Sequence, residues 1–567
     1  VGSEMCIRDR YGILCSILLL NASCTDFMDN IKPTNSVTDE GIWLTESSAM
    51  LFMSKVYRDL DGPYYSVNGL NDHAVDILFT DDCIQIGEKA SNQWNLFDFN
   101  ASSAPIDRWG NRYSSIRRAN IALKNLPDSP LPANVKERLM GDSYFLRAMF
   151  YLELFRYYGA AILIDKPLDR NTDDIFLARA TPEATLQFII SDFQNAADRL
   201  PVTVPDDELG RATKGAALGM MAATYLYAAG IIDSKYYADA AKTARVLVSG
   251  DLKGTYSLYQ NGFAEMFYED NEHNSEVIFD IQFAYPYRWS SAQTVLAPPE
   301  PGTPAEYGWS KDHPTASLAD EFEMATGEPF DWNNPEHAAA PYENRDKRFY
   351  ATLHYNGKPW KNKILYTAQN TPGNLNLKEN PNGMYSAGKP SCTKTGYYIG
   401  KYMNQDVLCG YDNRGRGVGG GHNFIVLRYA EILLTLAEAE NEVNGPTAEV
   451  YGAINEIRAR AGQPALPAGL DKSEMRKRIR HERRIELALE GKRWFDIQRW
   501  KIGEEVLNKD AQGCLVTYIK RADGEIVPTY ETVFVCKKTF MAPRDYLLPI
   551  PQSARDKNPN LDQNPLW

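Results

Sequence analysis

The longest periodic segment of the chain runs from Asn134 to Tyr158. Its apolar side chains recur at the three- and four-residue spacing of one helix face, and Gly159 follows as a stop signal. A second segment, Ala212–Ala229, is rich in small residues and stops before Gly230. The two stops lie about seventy residues apart, close to twice the 34-residue period of helical-hairpin repeats. The spacing predicts a tetratricopeptide-like superhelix, with an ordinary helical bundle as the alternative.

Helical patterns also cluster near both ends of the chain. They cover Leu44–Leu60, Ile106–Leu126, the segment from the Thr181 cap to Pro201, Tyr236–Val248, Asn423–Val443, Thr447–Ala461 and Lys472–Leu489. Between them, frequent Pro, Gly and Asn residues interrupt the pattern and leave short strand-like runs at Val277–Phe283 and Tyr397–Tyr402. Long irregular stretches in an otherwise regular protein are usually functional. We therefore expect a mainly α fold that carries a large irregular, loop-rich subdomain.

The pattern also suggests how the chain is divided. At 567 residues it exceeds the size at which a single hydrophobic core keeps growing. We expect a helical N-terminal region over residues 24–250 and a C-terminal region over residues 251–567. The second region would hold the irregular insertion, residues 251–422, followed by helices over residues 423–500.

Charge and cysteine content exclude several classes of function. The formal net charge of −13 would repel a phosphate backbone, so nucleic acid is not expected as a partner. The eight cysteines include no CxxC pair, which argues against a zinc knuckle and a thioredoxin-type motif. Cys392 and Cys409 remain able to form a disulfide in an oxidising compartment, since the sequence gives no distance between them.

The first 23 residues have the features of a targeting signal. Residues 1–10 look unlike a natural start. The apolar run Gly12–Leu20 is too short to span a bilayer of about 30 Å but has the length of a signal-peptide core. The run leads into Leu-Asn-Ala-Ser before Cys24, which resembles a bacterial lipobox apart from Asn21. We predict lipidation of Cys24, whose acyl chains would anchor the protein to a membrane. A simple secretory signal with an incidental cysteine is the alternative.

Six further segments carry a family signature in a fixed order. They are Cys24–Asp29 with Trp43, residues 142–167 (DSYFLRAMFYLELFRYYGAAILIDKP), 423–442 (NFIVLRYAEILLTLAEAENE), 454–462 (INEIRARAG), 480–500 (RHERRIELALEGKRWFDIQRW) and 546–565 (YLLPIPQSARDKNPNLDQNP). Together they resemble the SusD/RagB family at both ends of the chain and leave the middle unmatched. The resemblance implies a lipid-anchored protein of the Bacteroidetes outer membrane, exposed at the cell surface. It also implies a SusC-like TonB-dependent transporter as partner, with oligosaccharides or, in some relatives, peptides as ligands.

The densest charge cluster is interpreted as structural. Glu482, Glu486 and Glu490 recur every four residues among arginines, and Arg428 with Glu431 adds an i,i+3 pair. Interleaved guanidinium groups would keep these carboxylates ionised, whereas a general acid must hold a proton. The pattern therefore favours salt bridges between helices over catalysis.

No cofactor motif is complete. A GxGxxG match at residues 415–420 precedes a helix, but no strand leads directly into it, so dinucleotide binding is not expected. The seven histidines never pair at ligand spacing, and no GxSxG elbow occurs. We expect no catalytic or metal-ligating residues, although Asp173-Asp174 and residues 331–336 leave a structural calcium ion open.

Aromatic residues of the irregular middle are the candidate ligand contacts. Their rings lie among Pro, Gly and Asn instead of on an apolar helix face, and one face of a sugar ring stacks on an aromatic plane. For any single ring, packing within a loop is the alternative. The family resemblance adds, by region only, the loop after the first helices. The candidates are Asp82, Trp94, Asn100, Tyr285, Trp289, Trp309, Trp332 and Trp360.

The sequence thus predicts a non-enzymatic surface lipoprotein that captures oligosaccharides for a transporter. Three other functions stay open. A peptide-binding relative would keep the same scaffold, and a glycoside hydrolase would need two carboxylates facing one cleft. A helical-repeat adaptor would dock a protein on its concave face.

Overall fold

The computed structural model describes residues 39–60, 75–85, 97–284, 288, 290, 292–299, 308–376, 392–407, 410–411, 417–418 and 420–567. The predicted signal peptide and Cys24 lie outside these ranges. Cys392 is buried, but Cys409 lies outside the described residues, so their pairing stays a prediction.

Helices dominate the N-terminal half. The long ones span Glu46–Arg58, Trp109–Asn125, Ala133–Tyr158, Pro182–Arg199, Lys214–Ile231 and Tyr236–Val248. These bounds confirm the predicted helices to within three residues. The Thr181 cap is also confirmed, since its hydroxyl oxygen accepts a hydrogen bond from the Ala184 amide at 3.1 Å and Pro182 occupies the first helical position.

Helices return in the C-terminal half, with one correction. They span Tyr429–Asn444, Ala448–Ala461, Lys472–Glu486, Arg493–Trp500 and Gly503–Leu507. The helix predicted to begin at Asn423 is wrong over its first residues, because Phe424–Arg428 forms a strand paired with Val277–Ile281. Phe424–Leu427 is a continuous apolar run, and a short buried strand cannot be told from a buried helix by periodicity alone. Shorter helices cover Asp39–Ile42, Val75–Leu78, Ala292–Leu296, Ala316–Glu321, Pro335–Ala339, Lys347–Thr352 and Gln552–Arg555.

Twelve strands of the described residues pair into two-stranded antiparallel ladders. They are β1 Cys83–Gln85, β2 Val277–Ile281, β3 Asp312–Pro314, β4 Leu353–His354, β5 Pro359–Trp360, β6 Lys363–Ile364, β7 Tyr398–Ile399, β8 Gly410–Tyr411, β9 Gly417–Val418, β10 Phe424–Arg428, β11 Asp510–Lys520 and β12 Ile526–Lys537. The β2 and β7 strands confirm the two predicted strand-like runs with shorter bounds.

The long β11–β12 hairpin was not predicted from the sequence. Its register pairs Asp510 with Lys537 and Lys520 with Ile526. The signal was present, because segments rich in β-branched and aromatic residues flank an Asp523-Gly524 turn.

Successive helices pack against their neighbours in chain order, as in a tetratricopeptide-like array. Helix 133–158 packs between helices 109–125 and 182–199, and helix 214–231 packs against 182–199 and 236–248. Helix 236–248 then packs against helix 429–444, although the whole irregular middle separates them in sequence. The middle therefore leaves and rejoins one continuous helical scaffold.

Small residues allow the closest helix approach. Helix 214–231 packs against helix 493–500, and a Cβ atom on Gly230 would lie only 2.3 Å from the carbonyl oxygen of Arg499. Any larger residue at this position would separate the two halves of the scaffold.

Buried salt bridges join the C-terminal helices to the middle, which confirms the structural interpretation of the glutamates. Arg348, fully buried, donates to Glu482 at 2.6 Å and to Glu486 at 2.9 Å. Arg428 donates to Glu490 at 2.8 Å and to Glu486 at 2.5 Å. The predicted Arg428–Glu431 pair is wrong, because Arg428 ends a strand and Glu431 pairs with Arg483 and Lys492 instead.

Within the part of the chain that the structure describes, no helix combines the length and the apolarity needed to cross a membrane.

Candidate ligand-binding site

The short β1–β3 ladder brings two distant parts of the chain to one edge. Gln85 lies opposite Asp312 and Cys83 lies opposite Pro314. The Gln85 amide nitrogen donates to the Asp312 carboxylate at 3.0 Å. Gln85, the last residue of β1, therefore lies beside the segment that leads from Trp309 into β3.

A short helix fixes the backbone that carries Trp309. The Trp309 amide donates to the Thr294 carbonyl at 2.8 Å, and the Lys311 amide donates to the Val295 carbonyl at 3.0 Å. The side chain of Gln293, on the same helix, exchanges hydrogen bonds with the backbone of Asn404 at 2.8 and 3.1 Å. Residues 309–311 are thus held between β3 and helix 292–296.

Gly308 is required immediately before the tryptophan. Its φ of +100° lies in the region that favours glycine. A Cβ atom there would lie 2.2 Å from the carbonyl oxygen of Pro298. The close approach of the Gly308 and Pro298 backbones therefore sets the position of the Trp309 backbone.

Two buried ionisable residues of β3, Asp312 and His313, hold this edge in place by hydrogen bonds. Burial raises the pKa of Asp312 to about 7 and lowers the pKa of His313 to about 4. The neutral imidazole donates from Nε2 to the Ser310 carbonyl at 2.8 Å and accepts at Nδ1 from the Lys394 amide at 3.4 Å. Both side chains are fully buried and hydrogen-bonded, so they fix the edge and do not face a ligand.

The Trp309 side chain itself is only half-buried. It packs against the hydrophobic core on one side, and the Lys311 ammonium lies 5.9 Å from its ring centroid. A cation at this distance from an indole is attracted by the ring. The edge therefore offers an ordered, partly exposed aromatic ring next to a positive charge, which suits stacking against an apolar ligand face.

Comparison with known proteins identifies the scaffold. The SusD family model matches residues 275–567, more than half of the chain, and a second family, described as starch-binding and associating with the outer membrane, matches residues 42–226. The chain belongs to the SusD family.

Similar proteins cover almost the whole SusD-family chain. SusD-like protein P38 of Formosa agariphila is 26% identical over 521 residues, which are 87% of this chain and 91% of that protein. A SusD-like protein of known structure from Bacteroides fragilis is 27% identical, with a TM-score of 0.74 over 94% of this chain and 100% of its own. A SusD-like carbohydrate-binding protein from the same species is 26% identical, with a TM-score of 0.75 over 92% of this chain and 100% of its own.

The predicted ligand contacts of this SusD-family protein differ in their location and burial. Trp94, Tyr285 and Trp289 lie outside the described residues. Trp309 lies at the edge described above. Trp332 is also half-buried, and its indole nitrogen donates to Asp320 at 2.9 Å, so it is partly committed to the scaffold.

Three further candidates have structural roles. Asp82 is only 1% exposed and accepts from Arg484 at 2.9 Å. Trp360 is 2% exposed and packs edge-on against His354, which leaves no ring face for a ligand. Asn100 is exposed, but its side-chain oxygen closes a turn by accepting from the Ser102 amide at 2.9 Å. Burial argues against ligand contact for Asp82 and Trp360.

The acidic segments considered for calcium make other contacts. Asp173 accepts from Lys166 at 2.6 Å, and Asp331 accepts from the Asn333 amide at 2.8 Å. Across the described ranges, no group of three or more His, Cys, Asp or Glu side chains is arranged to hold a metal ion.

No local sequence pattern marked the residues that support Trp309. Gln85, Gln293 and Asn404 form their bonds across long stretches of chain. Lys311 had a local signal, because it follows Trp309 by two residues. A positive residue next to a loop tryptophan is a pattern that could have identified it.

Proposed function

We propose that this SusD-family protein binds an extracellular oligosaccharide at the Trp309 edge without chemically altering it. The observation that carries the proposal is a half-buried indole on a rigidly hydrogen-bonded backbone. The C–H face of a sugar ring can stack on the open part of such a ring. The similarity over nearly the full length to a SusD-like carbohydrate-binding protein supports the same ligand class.

The proposed role includes delivery to a transporter. We infer that Cys24 is lipidated, that the protein is anchored at the outer-membrane surface, and that a SusC-like TonB-dependent transporter receives the ligand. The match of residues 42–226 to a family described as associating with the outer membrane supports this location. A single stacking ring contributes roughly 1 kcal/mol, and modest affinity suits a protein that must release its ligand.

Calorimetry with a panel of neutral plant, host and microbial oligosaccharides tests the ligand class. Trp309→Ala should weaken the binding of whichever glycan binds wild-type protein by about fivefold or more, since about 1 kcal/mol of stacking is lost. Trp309→Phe should retain most of the affinity, because the aromatic face remains.

Phe534→Ala is the matched control. Phe534 is a large ring on β12 that is 60% exposed, so its loss tests whether any exposed aromatic would have the same effect. Equal affinities for wild type and Trp309→Ala would reject the Trp309 edge as the site. Binding of peptides with no response to any glycan would favour the peptide-binding function instead.

The anchor is tested separately in a bacterial host that processes lipoproteins. Incorporation of radiolabelled palmitate should occur in wild type and be lost in Cys24→Ser. Cys15→Ser is the control, because Cys15 lies within the predicted apolar run and should not be acylated. Equal labelling of wild type and Cys24→Ser would refute the predicted anchor.

A further inference from the structure

A cavity that shares no lining residue with the Trp309 edge lies at the base of the β11–β12 hairpin. It has a volume of about 820 Å³ and is bordered by helices 316–321, 472–486, 493–500 and 503–507 and by the first residues of β11. This volume falls within the range of about 300–1,000 Å³ typical of small-molecule sites.

Cationic side chains of one helix line the cavity. Lys477, Arg480 and Arg484 lie on the same face of helix 472–486, since they are three and four residues apart. Arg484 is already neutralised, because it donates to Asp82 at 2.9 Å and to Glu321 at 2.6 Å. Lys477 is 73% exposed at the rim, and its ammonium lies 3.2 Å from the partly exposed Glu474.

Arg480, which is partly buried, differs from the buried arginines of this helix. It makes no hydrogen bond or ion pair with any described residue, and its Nε atom is buried without a hydrogen-bond partner. Its guanidinium lies 4.7 Å from the ring centroid of Trp500. Arg499 lies at the same distance from that ring but is paired with Glu438 at 2.5 and 2.6 Å.

A guanidinium whose positive charge has no ion-pair partner, and which lines a cavity, is a candidate group for binding an anion. Burial, together with nearby Arg499, lowers the pKa of Arg480 despite the opposing charge of Glu438, which indicates that its positive charge lacks sufficient neutralisation here. The planar guanidinium fork matches a carboxylate, with which it can form two parallel hydrogen bonds.

The remaining lining offers partners for hydroxyl groups and a further cation. Ser317 accepts from Arg484 at 3.2 Å, so its hydroxyl proton is available to a ligand acceptor. Glu505 and Asp510 also line the cavity and are exposed, and their carboxylates accept hydrogen bonds from hydroxyl groups. Lys509, exposed between them, offsets part of their negative charge. The lining fits a ligand that combines carboxylate and hydroxyl groups.

From these contacts we propose that the cavity is a second carbohydrate site, specific for the carboxylate of a uronic acid in an acidic oligosaccharide. Arg480 binds that carboxylate, Lys477 attracts it at the rim, and Ser317, Glu505 and Asp510 bind the sugar hydroxyls. This goes beyond the proposed function, because it neither uses nor requires the Trp309 edge.

The test is calorimetry with tri-galacturonic acid and its methyl ester, which has the same hydroxyls but no charge. Wild-type protein should bind the acid at least tenfold more tightly than the ester. Arg480→Met should abolish that preference, because it removes the cation and keeps an apolar stem on Trp500. Arg480→Lys should recover only part of it, since the fork is lost.

Arg478→Met is the matched control, because Arg478 lies on the same helix but outside the cavity lining. Arg480→Met should keep the wild-type unfolding midpoint, since no ion pair is broken. Equal affinity of wild type and Arg480→Met for tri-galacturonic acid, or no saturable binding by wild type, would overturn the proposal.

Trp309→Ala separates this site from the proposed one. It should leave tri-galacturonic acid binding unchanged while weakening binding of the neutral glycan. Loss of tri-galacturonic acid binding in Trp309→Ala, with normal binding in Arg480→Met, would assign the acid to the Trp309 edge and refute the second site.

Discussion

Arg428 is the most informative position at which to test the scaffold. Its guanidinium is 1% exposed and donates to Glu276 at 2.7 Å, to Glu486 at 2.5 Å and to both oxygens of Glu490 at 2.8 Å. The replacement Arg428→Met keeps an apolar stem of similar length and removes the charge. The result is a buried cluster with one cation fewer and the same carboxylates.

The expected loss of stability in Arg428→Met follows from the ion-pair partners that the three carboxylates keep. Glu276 retains Arg460 at 3.0 Å, Glu486 retains Arg348 at 2.9 Å, and Glu490 retains Lys401 at 2.8 Å. No carboxylate is left wholly unpaired, so the cost should be that of one broken buried pair, about 3–5 kcal/mol, and not three times that. Urea unfolding followed by circular dichroism measures this free energy.

The pH dependence distinguishes charge from packing. Against the effect of burial, Arg428 and Lys401 hold the pKa of Glu490 below its ordinary value. A lowered pKa in the folded state contributes stability above the unfolded pKa of about 4.3, and the contribution is lost as pH falls below it. The difference in the free energy of unfolding between wild type and Arg428→Met should therefore be largest at neutral pH and should decrease below about pH 4.5.

Two further variants complete this test. Arg478→Met should cost less than about 1 kcal/mol, because Arg478 is 35% exposed and its ion pairs are long, 3.4 Å to Glu474 and 3.9 Å to Glu323. Adding Glu486→Gln to Arg428→Met should recover part of the lost stability, since it removes an excess charge while Arg348 keeps Glu482 and Arg460 keeps Glu276. The electrostatic account would be refuted if Arg428→Met lowered the free energy of unfolding by less than about 1 kcal/mol, or if its difference from wild type did not depend on pH.

Other predictions concern the Trp309 edge. Gly308→Ala should weaken glycan binding, measured by calorimetry, more than Gly357→Ala does. Both glycines have a positive φ, but only a Cβ atom on residue 308 would clash with a neighbouring carbonyl oxygen. Equal effects of the two substitutions would show that the clash is irrelevant. Asp312→Asn should gain stability relative to wild type as pH rises from about 4 to about 7 in urea unfolding, because burial raises the pKa of Asp312 to about 7 and its ionisation then costs up to about 1.4 kcal/mol per pH unit. A difference that stays constant over this range would contradict that account.

Local patterns in the sequence determined most of the helical scaffold. Thr181-Pro182 at a helix start and apolar spacing over residues 134–158 are decided by hydrogen bonds and side chains within a few residues. The structural role of Glu482, Glu486 and Glu490 was also predictable, because arginines alternate with them along the chain. Four of the six family segments lie largely on these helices, so they carried the scaffold's identity for the same reason.

Only the tertiary structure decided which residues are open to a ligand. Trp309 and Trp360 both lie in the irregular middle, yet one is half-buried and the other is 2% exposed. Exposure depends on segments far away in sequence, such as β1 against β3 and β2 against β10, and no local pattern encodes which distant strands will pair. The same holds for Arg480, which has the same sequence context as its paired neighbours but faces a cavity that the β11–β12 hairpin helps to form.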